Sequence, residues 1–192
     1  LTLEEIRLPN YTEVYRGEIN IYRNEDVLPR AFAVFHGVSA RDREEARGLL
    51  VSPTFDPRRA VIVEDERTPP LQSAAPPEAV PARVRAYRPN EVVVEVVMPQ
   101  EGYLVLADAY FPGWRAFVGD RELSVLRADY LFRAVRLPAG QHRVVFRYAP
   151  DSFKLGMYGS LLSGILLLLG FSIGAWGHLY REAEATSGVR RV

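Results

Sequence analysis

Between Leu155 and Tyr180 the chain reads LGMYGSLLSGILLLLGFSIGAWGHLY, a run without one Asp, Glu, Lys or Arg. At about 1.5 Å of rise per residue, a helix of this length crosses a hydrocarbon core of roughly 30 Å with some tilt. The spacing predicts a transmembrane helix over 151–180, and everything else in the chain has to be arranged around a membrane. Within the run, Gly156, Ser160, Ser163, Gly170, Gly174 and Gly177 recur at alternating steps of four and three, with Leu167 as the one large residue in the series. Those steps keep the seven positions on one stripe of a helix. Lipid supplies no hydrophobic drive for helices to associate, so small residues that let two backbones approach mark a packing face. The expected partners are membrane lipids on the leucine-rich sides and another transmembrane helix along the stripe.

Composition narrows the classes for the remainder. Lysines plus arginines equal aspartates plus glutamates, and no basic block precedes the helix, so nothing predicts nucleic-acid binding. Cysteine is absent, which removes disulfides, thiol nucleophiles and cysteine metal sites together. The opening LTLEEIRLPNY has neither a basic start nor an apolar stretch and does not read as a signal peptide. If the bulk of the chain lies outside the cytoplasm, a preceding segment must direct it there, so a longer parent protein is expected.

Before the helix the pattern is mainly β. Residues 1–66 read as a small α/β segment: strand-like runs at Gly17–Tyr22 and Ala31–Phe35 flank turn chemistry at Asn24-Glu25-Asp26, a helical pattern starts at Ser39 or Asp42, and Ala60–Val63 is a short buried strand. Residues 67–82 are rich in Pro and Ala and read as a linker or surface excursion. From 83 to 150, short apolar runs recur with turns between them: Val84–Tyr87, Glu91–Met98, Tyr103–Ala107, Trp114–Val118, Leu123–Leu126, Leu131–Leu137 and His142–Tyr148. Gly119-Asp120 is a two-residue hairpin signal. This spacing predicts a β-sandwich. The last part, 181–192, reads as a tail. It carries Arg181, Arg190 and Arg191 against Glu182 and Glu184, an excess that favours a cytoplasmic C-terminus.

No residue set predicts catalysis, a cofactor or a metal. His36, His142 and His178 have no second ligand at metal spacing. Asp108 reads as a satisfied residue at a bend rather than a base, because Tyr, Pro and Gly follow it. Trp114 with Tyr110 offers a sugar-stacking surface, but the aromatics Tyr110, Phe111, Trp114, Tyr130 and Phe153 read first as core and second as residues at the lipid headgroup level.

Several segments, in order, resemble a known family. They are Ile21-Tyr22-Arg23-Asn24, Leu28-Pro29-Arg30-Ala31-Phe32, Leu106-Ala107-Asp108-Ala109-Tyr110-Phe111-Pro112-Gly113-Trp114, Phe132-Arg133-Ala134-Val135, Leu137-Pro138-Ala139-Gly140 and Val144-Val145-Phe146-Arg147-Tyr148 before a terminal membrane helix. The set resembles the C-terminal region of YfhO-like bacterial membrane proteins. That resemblance implies a polytopic parent similar to GT-C glycosyltransferases, which use a polyprenyl-phosphate-linked sugar. It also implies that the region seen here lies on the extracytoplasmic side of the bacterial cytoplasmic membrane. The multi-span portion that would hold an acidic catalytic site is not in this sequence, so no catalytic residue carries over. The expectation is a non-catalytic, membrane-anchored outer domain whose stripe packs on the parent's own preceding spans. The alternative is an accessory subunit of a larger membrane complex, such as an electron-transfer or photosynthetic assembly, whose stripe packs on partner subunits.

Overall fold

The computed structural model of the chain describes residues 10–64, 70–72 and 77–188. The opening segment, the linker portions at 65–69 and 73–76, and the tail arginines Arg190 and Arg191 lie outside the described residues. In chain order the elements are β1 (Tyr11–Tyr15), β2 (Ile21–Asn24), β3 (Ala31–Val34), β4 (Gly37–Ser39), α1 (Arg43–Leu50), β5 (Val61–Val63), β6 (Val80–Pro81), β7 (Arg83–Arg88), β8 (Glu91–Met98), β9 (Gly102–Leu106), β10 (Trp114–Val118), β11 (Arg121–Leu123), β12 (Leu126–Ala128), β13 (Phe132–Leu137), β14 (Gly140–Tyr148) and α2 (Asp151–Gly188). The chain divides into two compact units, one ending at Tyr148 and one starting at Ala149. The fold is mainly β, as expected.

The first unit holds a two-stranded sheet of β1 and β2 and two larger sheets that form its core. One has the order β11-β10-β14-β8-β7, and the other β4-β5-β12-β13-β9-β3-β6. The five-stranded sheet has one wet face. Along β14, Val144 and Phe146 are buried while Arg143 and Arg147 are exposed, the alternation of a half-buried strand. The seven-stranded sheet is covered on both faces, and all five residues of β9 are buried. On one side Leu104, Leu106 and Val135 meet Val92, Val94, Ala116 and Phe146 of the other sheet. On the other side Tyr103, Val105 and Ala134 are packed by Leu28, Leu71 and Ala79. Gly102 allows the close approach at the start of β9, since a Cβ there would stand 2.7 Å from the Val34 carbonyl and 2.6 Å from the Phe35 ring.

β4 and β5 are parallel, with α1 as the crossover between them. Asp42 caps α1 by accepting the Glu45 N–H at 2.9 Å, and Ala46 is the helix residue buried against Ile62 and Ala40. β3, β4 and β5 thus come from the 1–66 segment while sharing one sheet with β9, β12 and β13. The expected linker also takes part: Leu71 donates its N–H to the Tyr103 hydroxyl and accepts the Gly37 N–H at 2.7 Å.

Two other local expectations differ. The Asn24-Glu25-Asp26 turn forms, with Asn24 Oδ1 accepting the Asp26 N–H, but the strand before it covers Ile21–Asn24 in place of Gly17–Tyr22 and pairs back with β1. Leu123–Leu126 is not one strand. It breaks at Ser124-Val125, and the two halves enter different sheets, a corner by which a strand changes layers. Gly119-Asp120 does form the hairpin of β10 and β11, pairing Val118 with Arg121, with φ of +57° at Gly119 as the first turn position of a II′ turn demands.

The second unit is α2. Its stretch Asp151–Gly177 is the one described helix long and apolar enough to cross a membrane, and within the chain its side chains are exposed. The helix continues past Tyr180 into the segment expected as a tail, up to Gly188.

Candidate functional site

Residues from four of the six quoted segments converge in space, joined by Tyr87 from outside them. Arg30 leads into β3, Tyr87 lies near the end of β7, Asp108 follows β9, Trp114 opens β10, Arg133 sits in β13, and Phe146 and Tyr148 end β14. Asp108 is held at a bend, its N–H donating to the Leu106 carbonyl at 2.7 Å. Its Oδ1 accepts from Arg30 Nη1 at 2.9 Å and from the Tyr87 hydroxyl at 3.1 Å, and its Oδ2 accepts from Arg133 Nη2 at 2.9 Å. Both carboxylate oxygens are therefore engaged by donors.

Arg133 is the unusual member, being 3% exposed. The pleat of β13 turns Val135 and Leu137 toward the five-stranded sheet, and Arg133 shares that parity. Its guanidinium carbon lies 3.9 Å from the Trp114 ring centroid and 5.9 Å from that of Phe146. A planar cation is favoured over an indole face, more so when desolvated. Nε and Nη1 are buried with no hydrogen-bond partner among the described residues. Burial pushes the Arg133 pKa down, and the Asp108 carboxylate opposes that shift. The cluster joins both sheets through the Tyr87 hydroxyl on Asp108 and the Trp114 ring on Arg133, while the two ion pairs of Asp108, with Arg30 and Arg133, lie on the seven-stranded side.

Trp114 thus packs as core, and its ring also lies 5.4 Å from Tyr148. Tyr110 and Tyr130 sit beneath Arg127 and Arg43, at 4.7 and 5.7 Å. Of the five aromatics considered for the headgroup level, Phe111 and Phe153 are the exposed ones.

A second polar centre, Asp129, carries no motif and was not singled out from sequence. With φ of +45° it follows β12, donates its N–H to the Ile62 carbonyl at 2.8 Å and accepts the Ile62 N–H on Oδ1 at 2.9 Å. The one sequence signal is its type, since Asp tolerates the left-handed region better than most residues. Burial pushes its pKa up to about 6, and the Ile62 hydrogen bond opposes the shift. Neighbouring Glu64 is also raised, by burial first and against the pull of Arg127.

A carboxyl raised in the folded state binds its proton more tightly there than in the unfolded chain. Its stabilising contribution is therefore complete below the unfolded value near 4 and disappears as pH rises through about 6. Asp129→Asn keeps the carbonyl acceptor and removes the buried charge. It is expected to raise stability at pH 8 by about 1–3 kcal/mol and leave it nearly unchanged at pH 4, flattening the slope between them apart from the part due to Glu64. Urea midpoints of the detergent-solubilised protein at the two pH values check this. Equal effects at both would refute it.

His36 lies in the connection between β3 and β4 and His142 in β14 of the other sheet, the latter with Nε2 2.9 Å from the Pro138 carbonyl. Among the described residues no three His, Asp or Glu side chains gather as metal ligands. The seven stripe positions, Gly156, Ser160, Ser163, Leu167, Gly170, Gly174 and Gly177, all fall on α2. A Cβ built at Gly156, Gly170, Gly174 or Gly177 meets no atom within 4 Å.

Residues 71–160 match the family described as bacterial membrane protein YfhO. This stretch is a YfhO-like region. No curated protein and no solved structure matches the chain. The YfhO-like region runs from Leu71 through β6–β14 and into α2 as far as Ser160. It contains Tyr87, Asp108, Trp114, Arg133, Phe146 and Tyr148, so all of the cluster except Arg30 lies within it. The resemblance read from the motifs and the family match agree on this region. A YfhO-like sandwich followed by a span-capable helix places the protein with membranes.

Proposed function

We propose that this chain is the non-catalytic, extracytoplasmic sandwich and terminal membrane helix of a YfhO-like protein of glycosyltransferase type. In this reading the small-residue stripe of α2 packs on the parent's own preceding spans, and the C-terminus lies in the cytoplasm. The observation that carries it is the continuity of the family match, which runs out of the sandwich and into the apolar helix without a break. The exposed apolar surface of α2 supports a lipid and helix environment, since such a surface in water would be an aggregation hazard. The engaged state of Asp108 supports a scaffold role for the motif cluster. An acid or base for sugar transfer needs a free proton-accepting position within reach of substrate.

Intact mass measurement of the protein from native membranes in mild detergent tests the reading. The expected result is one long polytopic chain that contains this sequence. Recovery as a short chain beside unrelated membrane subunits would contradict it and make the protein an accessory subunit of a larger assembly.

A further inference from the structure

Phe111 and Leu131 are large apolar residues on loop tips, 60% and 51% exposed. The two tips adjoin each other, because the Tyr110 N–H donates to the Leu131 carbonyl at 2.6 Å. The Phe111 ring also lies 6.4 Å from the ring of Tyr148, the last residue of β14. Strand registers place this patch at one end of the sandwich: Trp114 pairs with Tyr148, Glu91 with Arg147, and Leu106 with Arg133. Two residues, Ala149 and Pro150, connect Tyr148 to Asp151, where the span-capable helix begins.

We propose that the Phe111–Leu131 tip is a lipid-contacting foot, inserted at the boundary between headgroups and acyl chains. The occupant follows from the chain itself. An exposed aromatic and an exposed leucine cost little in that layer, which accepts apolar side chains beside wet backbone. The wet end of the sheet lies elsewhere: Val97 pairs with Gln141 at the far end of β8, about 20 Å along the strand from Glu91. The inference rests on the reading above that α2 crosses a bilayer.

This chain has no cysteine, so single-cysteine variants can be spin-labelled without background from it. Phe111→Cys, Leu131→Cys, Val97→Cys and Leu167→Cys would be labelled in the full protein and reconstituted in phosphatidylethanolamine–phosphatidylglycerol nanodiscs. Collision with oxygen is then compared with collision with a water-soluble nickel chelate. A foot in lipid gives labels at 111 and 131 an oxygen-to-nickel ratio several-fold above that at 97 and closer to that at 167. Ratios at 111 and 131 equal to that at 97, with 167 still lipid-exposed, would overturn the foot and leave the membrane reading intact. Shielding of 111 and 131 from both reagents would also overturn it, in favour of a protein partner. A water-exposed 167 would overturn the membrane reading itself. Unchanged melting of both loop variants, expected at exposed positions, separates these outcomes from misfolding.

Discussion

Asp108→Ala is expected to destabilise the sandwich by about 3–5 kcal/mol, the cost of leaving a buried charge without its counter-ion. Arg133 cannot turn to water, because its side chain is 3% exposed and lies against Trp114 and Phe146. With the carboxylate gone, Nη2 joins Nε and Nη1 as buried donors without partners. Arg133→Met gives the opposite kind of change. It removes the buried cation and fills much of its volume, while Asp108 keeps Arg30 and the Tyr87 hydroxyl as partners at a more exposed edge. Replacing a buried charge by an apolar residue of similar volume is often neutral or stabilising. The Met variant is therefore expected to cost far less than the Ala variant. Denaturant unfolding of both checks the ranking, and equal losses, or a loss below about 1 kcal/mol for Asp108→Ala, would contradict the buried-pair account.

The second large effect belongs to α2. Gly170→Leu with Gly174→Leu places two branched side chains on the stripe, one turn apart. In the described chain neither position touches anything, so the isolated helix loses nothing and gains helix propensity. Against a closely packed partner helix, each leucine instead forces the backbones apart at about 1–3 kcal/mol. The double variant is thus expected to melt well below wild type in the full membrane protein, or to lose the partner spans if these belong to another chain. Wild-type melting together with wild-type recovery of partners would exclude docking through the stripe. A matched pair on the leucine-rich side, Leu166→Ala and Leu169→Ala, is expected to have the smaller effect.

How far this could be read from the sequence varies by element. α2 was legible because an uncharged run of that length has few other uses, and β10–β11 because Gly119-Asp120 carries its own turn geometry. The strands from β7 to β14 were legible as short apolar runs between turns, except that β11 and β12 read as one strand. Their arrangement was not, since whether β2 meets β1 or β3 depends on pairing between distant segments, and local pattern carries no such signal. The same limit hid the sharing of one sheet by β3, β4 and β5 with β9, β12 and β13. Asp108 was read as a satisfied bend residue, and the structure supplies its three donors. The stacking of Arg133 between the sheets had no sequence signal beyond an arginine at a core-parity position of β13. Asp129 was missed for the same reason, because a buried carboxylate is defined by what packs over it.

The central claim, a sandwich outside the cytoplasmic membrane on a spanning helix, is tested most directly by labelling spheroplasts with a membrane-impermeant maleimide. Val97→Cys reports the sandwich and Ser187→Cys the far side of α2. The account predicts labelling of residue 97 in intact spheroplasts and of residue 187 only after lysis. The reverse pattern, or equal labelling of both before lysis, would contradict it.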